Sequence, residues 1–136
     1  MRASSRSTCT VCVNAPAQYA GIAALTGPQD AVRSMVAEFD RRRKVVVAGL
    51  NKLPGITCAT PEGRVLRLSQ HRGKTGWKAK ALASSLLEEA GVAIIGGPDF
   101  GILGEGYVRL SYANSTENIL KALDRMGDFL ASRKAA

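Results

Sequence analysis

Between Val32 and Leu53 apolar side chains return every three or four residues: Val32, Met35, Val36, Phe39, Val46, Val47, Leu50 and Leu53. Arg43 is the one polar member of the row. That period lays them along one stripe of a helix about six turns long. Gly27-Pro28 opens it, Asp30 sits in the first turn where the helix dipole favours an acid, and Pro54-Gly55 closes it. Arg41, Arg42 and Lys44 fall mostly off the stripe, and the run from Arg41 to Lys44 reads as a solvated helix face. A helix this long exceeds what one small domain needs for its own core. It is the kind of element that braces two domains, and it points to a part beyond this one.

The 136 residues suffice for one domain with a real core and leave no room for two. Apolar residues make up 46% and none of their runs approaches the ~20 needed to span a bilayer, so no membrane partner is expected. Asn14, Pro16 and Gln18 interrupt the segment that follows Arg2 and Arg6, which argues against a secretory signal. Three cysteines, an odd count, fit a reducing, cytoplasmic compartment. Cys9 and Cys12 have the spacing of a metal or redox pair, but only Cys58 and His71 remain as further ligands, far off in sequence, and residues 1–12 lack the strand and helix a redox motif needs. No metal site is expected. The net charge of +8 is concentrated: Arg64, Arg67, Arg72, Lys74, Lys78 and Lys80 occupy residues 64–80 with no acid among them. No nucleic-acid motif accompanies that patch, and it reads as a basic loop.

Taken in order, the chain divides into an irregular segment over 1–13, a helical segment over 14–53, and an α+β portion over 54–134. Asn14 caps a first helix with Pro16 in its first turn and Tyr19, Ile22 and Leu25 at helical spacing. Ile56 to Thr60 and Arg64 to Gln70 read as strands, Trp77 to Ala90 as a helix with Leu82, Leu86, Leu87 and Ala90 inward, and Val92 to Ile95 as a strand. Gly96 to Gly106 is a glycine-rich loop without the Lys-Ser/Thr of a phosphate loop. Tyr107 to Tyr112 is a strand, and Asn114 with Glu117 three residues on forms a capping box for a last helix. That helix carries Ile119, Leu120, Leu123, Met126, Phe129 and Leu130 on one face. The expected result is three or four short strands covered on one side by helices.

Arg109 stands in the middle of the Tyr107–Tyr112 strand, on the face of Tyr107 and Ser111 and opposite Val108, Leu110 and Tyr112. A guanidinium cannot shed its charge on leaving water, and its planar fork matches a carboxylate with two parallel hydrogen bonds. On the pattern alone two readings stand. Arg109 lies in solvent or against an internal acid, or it faces an anion from outside.

Several stretches occur together and in order: Asn14-Ala15-Pro16-Ala17-Gln18-Tyr19-Ala20-Gly21, Gly27-Pro28-Gln29-Asp30, Arg41-Arg42-Arg43, Leu53-Pro54-Gly55-Ile56, Thr60-Pro61-Glu62-Gly63, Pro98-Asp99-Phe100-Gly101 and Tyr107-Val108-Arg109-Leu110-Ser111-Tyr112-Ala113. This set resembles the C-terminal third of a class I aminotransferase, the pyridoxal-phosphate enzymes of the aspartate aminotransferase family, over residues 14–133. The resemblance implies that family's long interdomain helix followed by its small domain. It implies that Arg109 binds the α-carboxylate of the amino-acid or 2-oxo-acid substrate. It also implies pyridoxal 5'-phosphate as the cofactor of the complete enzyme.

Two departures qualify what it implies. The family's Schiff-base lysine lies in a Ser-x-Ser-Lys-like segment that this sequence does not contain, and Lys44, Lys52, Lys74 and Lys121 match no such motif. Without that lysine the cofactor has no covalent anchor and the proton shuttle no base. This chain alone is expected to hold no cofactor stably and not to transaminate. At Gly63 the family continues with a strand resembling Gly-Ala-Phe-Tyr-Ala-Phe-Pro-Asn, where this chain has Gly63-Arg64-Val65-Leu66-Arg67-Leu68-Ser69-Gln70-His71. One choice of codons, GTT CTA CGC CTT TCC CAA CAT, would encode Val65 to His71, and shifted by one base that string would read Phe-Tyr-Ala-Phe-Pro-Asn. A local frameshift restored near Thr75-Gly76-Trp77 is therefore expected, with a domain destabilised by several kcal/mol as its consequence.

The leading expectation is a fragment of an aminotransferase whose partner is the missing catalytic domain. Two alternatives belong to other classes: a small basic protein using residues 64–80 on a polyanion, and a regulatory pseudoenzyme that docks on a full-length homologue.

Overall fold

The computed structural model describes residues 13–62, the backbone of 65–70, residues 78–133 and the backbone of 134. Cys9, Cys12, His71, Trp77 and the start and end of the expected frameshift lie outside the described residues. The chain forms two compact units, residues 1–35 and 36–136.

The first unit holds helix α1 (Ala15–Thr26). The Asn14 side chain accepts from the Ala17 N–H at 2.9 Å, so the expected cap is present. At the other end Gly27 N–H donates to the Ala23 carbonyl at 2.9 Å, and a Cβ at Gly27 would come within 2.6 Å of that oxygen. A side chain there would push the exit apart. No residue of α1 is buried; Tyr19, Ile22 and Leu25 are all exposed.

Helix α2 (Asp30–Leu50) supplies residues to both units. Val46 and Leu50 are fully buried, whereas Val32, Met35 and Val36 are exposed. The stripe is as periodic as the sequence indicates, but only its C-terminal part has a core to enter. The basic run differs from the expected solvated face. Arg41 and Lys44 are exposed, but Arg42 and Arg43 are mostly covered. Arg43 bonds Asp40 and donates to the Pro61 carbonyl at 3.3 Å, which is how a cation sits on an apolar stripe. Arg41 grips Glu38 with two bonds of 2.9 Å and Arg42 adds one of 2.7 Å. These bonds, Arg41's first, hold the Glu38 carboxyl down at about 2 against an ordinary 4.5. Because the folded value is depressed, the associated stability is present above the ordinary value and is lost as pH falls toward 2. A carbon-detected acid titration is expected to place the Glu38 midpoint near 2 and to move it upward in Arg41→Gln; an ordinary midpoint in the parent chain would refute the clamp.

The second unit is an α+β arrangement around one four-stranded antiparallel sheet. Its strands are β1 (Ile56–Thr57), β2 (Val65–Gln70), β3 (Ile95–Gly96) and β4 (Tyr107–Ser111), in the spatial order β1-β2-β4-β3. Helices α3 (Ala79–Ala90) and α4 (Thr116–Lys134) complete it. Leu82 and Leu86 of α3, Val108 and Tyr112 of the β4 segment, and Ile119 and Met126 of α4 share the core with Val46 and Leu50. Phe39 meets Tyr112 edge to face at 6.0 Å, an arrangement the ring quadrupoles favour.

Several expectations shift by a residue or a turn, each for a local reason. β1 stops at Thr57 because the Asn51 side chain takes both backbone groups of Cys58, at 2.9 and 3.0 Å, in place of a neighbouring strand. Burial lifts the Cys58 thiol above its ordinary pKa. The strand expected over Val92 to Ile95 is reduced to Ile95–Gly96, since Val92 N–H turns back to the Leu86 carbonyl and closes α3 at Gly91, whose φ is 64°. Leu87 and Leu120 are exposed, not inward, because each lies a residue past the buried positions Leu86 and Ile119. Ser115, not Asn114, caps α4: its Oγ accepts from Asn118 N–H at 3.2 Å, while Asn114 holds Ser115 N–H and the Asn118 amide. The basic, aromatic-poor composition of β2 does not prevent it from pairing on both edges. Ladder bonds come from the backbone, which every non-proline residue carries alike.

Candidate functional site

β4 positions Arg109 through strand alternation. Val108 and Tyr112 enter the core, so Arg109 leaves on the other face, where it is half-buried. Its guanidinium carbon lies 4.5 Å from the centre of the Phe100 ring, within range for a cation–π contact. Among the described residues no carboxylate pairs with it. Arg109 therefore is neither free in bulk solvent nor neutralised by a described acid.

Phe100 reaches this place because of the glycine-rich loop. Gly97–Phe100 and Ile102–Gly104 form two short 3-10 turns hinged at Gly101, whose φ of 125° is accessible to glycine almost alone. The turns close on each other at Gly97 and Gly104. A Cβ on either residue would overlap the carbonyl oxygen of the other. Glu105 then locks the loop to α3: its carboxylate accepts from Ala79 N–H at 3.1 Å and Gly106 N–H at 3.2 Å. Lys78, at the cap position of α3, provides no side-chain cap, so Glu105 fills that role from 26 residues away and complements the helix dipole. Lys80 pairs with Asp99 at 2.7 Å and fixes the first 3-10 turn to the same helix; that bond raises the lysine's pKa.

Around Arg109 lies a cavity of about 770 Å³ bordered by Thr60, Pro61, Phe100, Leu103 and Tyr107. Ile102 and Leu103 are almost fully exposed beside it. Its described lining includes no acid and no lysine. A smaller cavity of about 460 Å³, lined by Ser111, Asn118, Lys121 and Arg125 among others, shares no lining residue with it. Of the lysines weighed above, Lys121 borders that smaller cavity, and Lys44 is paired with Asp40 on α2. Neither lines the Arg109 cavity. Among the described residues no group of three or more His, Cys, Asp or Glu is placed to hold a metal, and no helix is long and apolar enough to cross a membrane.

An arginine on the outward face of a β-strand, seated on an aromatic ring at a cavity whose described lining has no acid, has the geometry to receive an anion. The sequence comparisons place the chain in a family. Residues 1–126 match the model of aminotransferase class I and II, and the chain belongs to that family. It is 40% identical over 119 residues to the aspartate aminotransferase of Pyrococcus horikoshii, covering 86% of this chain and 30% of that protein. It is also 40% identical over 136 residues to the aspartate/prephenate aminotransferase of Cereibacter sphaeroides, covering 93% of this chain and 33% of that one. The crystal structure of an aromatic aminotransferase from Pyrococcus horikoshii superimposes with a TM-score of 0.80 at 38% identity, over 88% of this chain and 32% of the other. The chain thus spans about a third of the length of the relatives it matches.

Proposed function

We propose that this chain is the small-domain, C-terminal portion of an aminotransferase and that Arg109 receives the α-carboxylate of an amino acid or 2-oxo acid. The observation that carries the reading is the half-buried guanidinium of Arg109 over Phe100, at a cavity whose described lining offers it no acid. A carboxylate entering there gains two charge-assisted bonds while the ring holds the fork flat. The exposed apolar positions of α1 and of the first turns of α2 support the view that the rest of an enzyme covers them. In such an enzyme the amino group would pass from one substrate to the cofactor and on to a 2-oxo acid, with Arg109 holding each substrate in turn. A cytoplasmic setting accords with the buried free thiol of Cys58.

Pyridoxal 5'-phosphate, which the family implies, does not fit the residues at this cavity. The described lining has no lysine to form an imine and no carboxylate to face a pyridine nitrogen. The contribution of this chain's own residues is substrate capture, and the chemistry requires groups that a catalytic domain or a full-length homologue would provide.

The test is an amide-shift titration of the chain with acetate. Arg109→Gln is expected to weaken binding by about tenfold or more, since a hydrogen-bonded charge contributes roughly 1.5–3 kcal/mol. Equal affinity in the two proteins would sink the assignment.

A further inference from the structure

The cavity of about 460 Å³ that shares no lining residue with the Arg109 site draws its walls from three places: residues 91–93 after α3, the end of β4, and one side of α4. Val92, Leu110, Ile119 and Met126 give it an apolar wall. Its charged lining residues are Lys121 and Arg125, with no acid among the rest. These two stand four apart on α4, where like charges face each other and repel. Each has an acid at helical spacing: Glu117 lies four residues before Lys121, the favoured orientation, and Asp128 three after Arg125. Among the described residues neither cation enters an ion pair. Both border the cavity instead. The position of Arg125 has a local cause. A Cβ at Gly91 would lie 3.2 Å from its Nη1, so the guanidinium rests where that glycine has no side chain. Gly91 closes α3, and the dipole of that helix favours a cation at this end. A neighbouring hollow that Arg125 also borders contains Glu89 and Asp128, but Glu89 is taken by Arg133.

We propose that this cavity is a second binding site, for a small organic phosphomonoester with an apolar body. The phosphate dianion sits between the Lys121 ammonium and the Arg125 fork, and the body covers the wall of Leu110 and Ile119. A dianion cancels both charges, where a monoanion leaves one of them repelled. Bare phosphate leaves the apolar wall in water, and a neutral apolar molecule leaves the cations unpaired. The experiment titrates the full chain with phenyl phosphate, inorganic phosphate and phenol at matched ionic strength, at a pH where both phosphates are mostly dianionic, and follows the backbone amide shifts. Phenyl phosphate is expected to bind about tenfold tighter than inorganic phosphate, with its shifts at residues 91–93 and 118–126. Lys121→Gln and Arg125→Gln should each weaken it by about fivefold or more; both side chains are exposed, and urea midpoints confirm that the variants remain folded. Arg109→Gln should leave it unchanged, which separates this site from the carboxylate role proposed above. Equal affinity for the two phosphates, phenol binding as tightly as phenyl phosphate, or binding indifferent to both α4 substitutions overturns the site. So do shifts confined to residues 97–109.

Discussion

Gly104→Ala is expected to open the loop beneath Arg109, costing about 1–3 kcal/mol of stability as overpacking does and weakening acetate binding with it. The added Cβ would overlap the Gly97 carbonyl, and the reciprocal Cβ at Gly97 would overlap the Gly104 carbonyl and lie 2.6 Å from that of Tyr107. These obstacles are backbone atoms, not the yielding ends of side chains. The two 3-10 turns must therefore separate, and Phe100, carried on the first of them, leaves the guanidinium of Arg109. Urea unfolding and an acetate titration measure the two consequences together. Gly21, with nothing within 4 Å of its Cβ position, is the control: alanine there should be neutral or mildly stabilising. A Gly104→Ala chain as stable as the parent would show that the turns do not meet as described.

Leu86→Ala is expected to cost about 2–5 kcal/mol, the range for emptying a fully buried leucine site. Leu86 is 0% exposed, and its carbonyl also closes α3 by accepting from Val92 N–H. Its neighbour Leu87 is 55% exposed, so Leu87→Ala should change stability by no more than about 0.5 kcal/mol. The pair separates a register error from a general change in helix propensity, because both substitutions change propensity equally. Denaturant midpoints measured on the two variants check it. Similar losses in both would mean that α3 is rotated relative to the core described above.

Much of the architecture was legible in the residues because it follows from local rules. The helices of α2 and α4 follow from a 3.6-residue apolar period, and the breaks at Gly27 and Gly91 from glycine. The alternation that turns Arg109 away from Val108 and Tyr112 follows from the strand pleat. The ordered family motifs pointed to an aminotransferase, and the match over residues 1–126 agrees with them. Legibility failed where a distant group supplied what a local one was expected to supply. Asn51 replaces a strand for Cys58, and Glu105 caps α3 from beyond the loop. Neither pairing leaves a signature in sequence spacing, since an asparagine or glutamate reads the same whether it meets water or a backbone amide. Asn114 was the expected cap of α4, but the backbone path into the helix puts the Ser115 Oγ at the Asn118 N–H instead.

The sequence by itself determined the kinds of elements present, the face of β4 that bears the cation, and the family, because periodicity, strand alternation and ordered motifs are properties of the chain alone. Tertiary structure decided what surrounds that cation: the Phe100 ring beneath it and the lining without a described acid. The physical reason is that a guanidinium's fate depends on the charges and rings within a few ångströms, and those are brought near by the closed glycine loop and not by spacing along the chain.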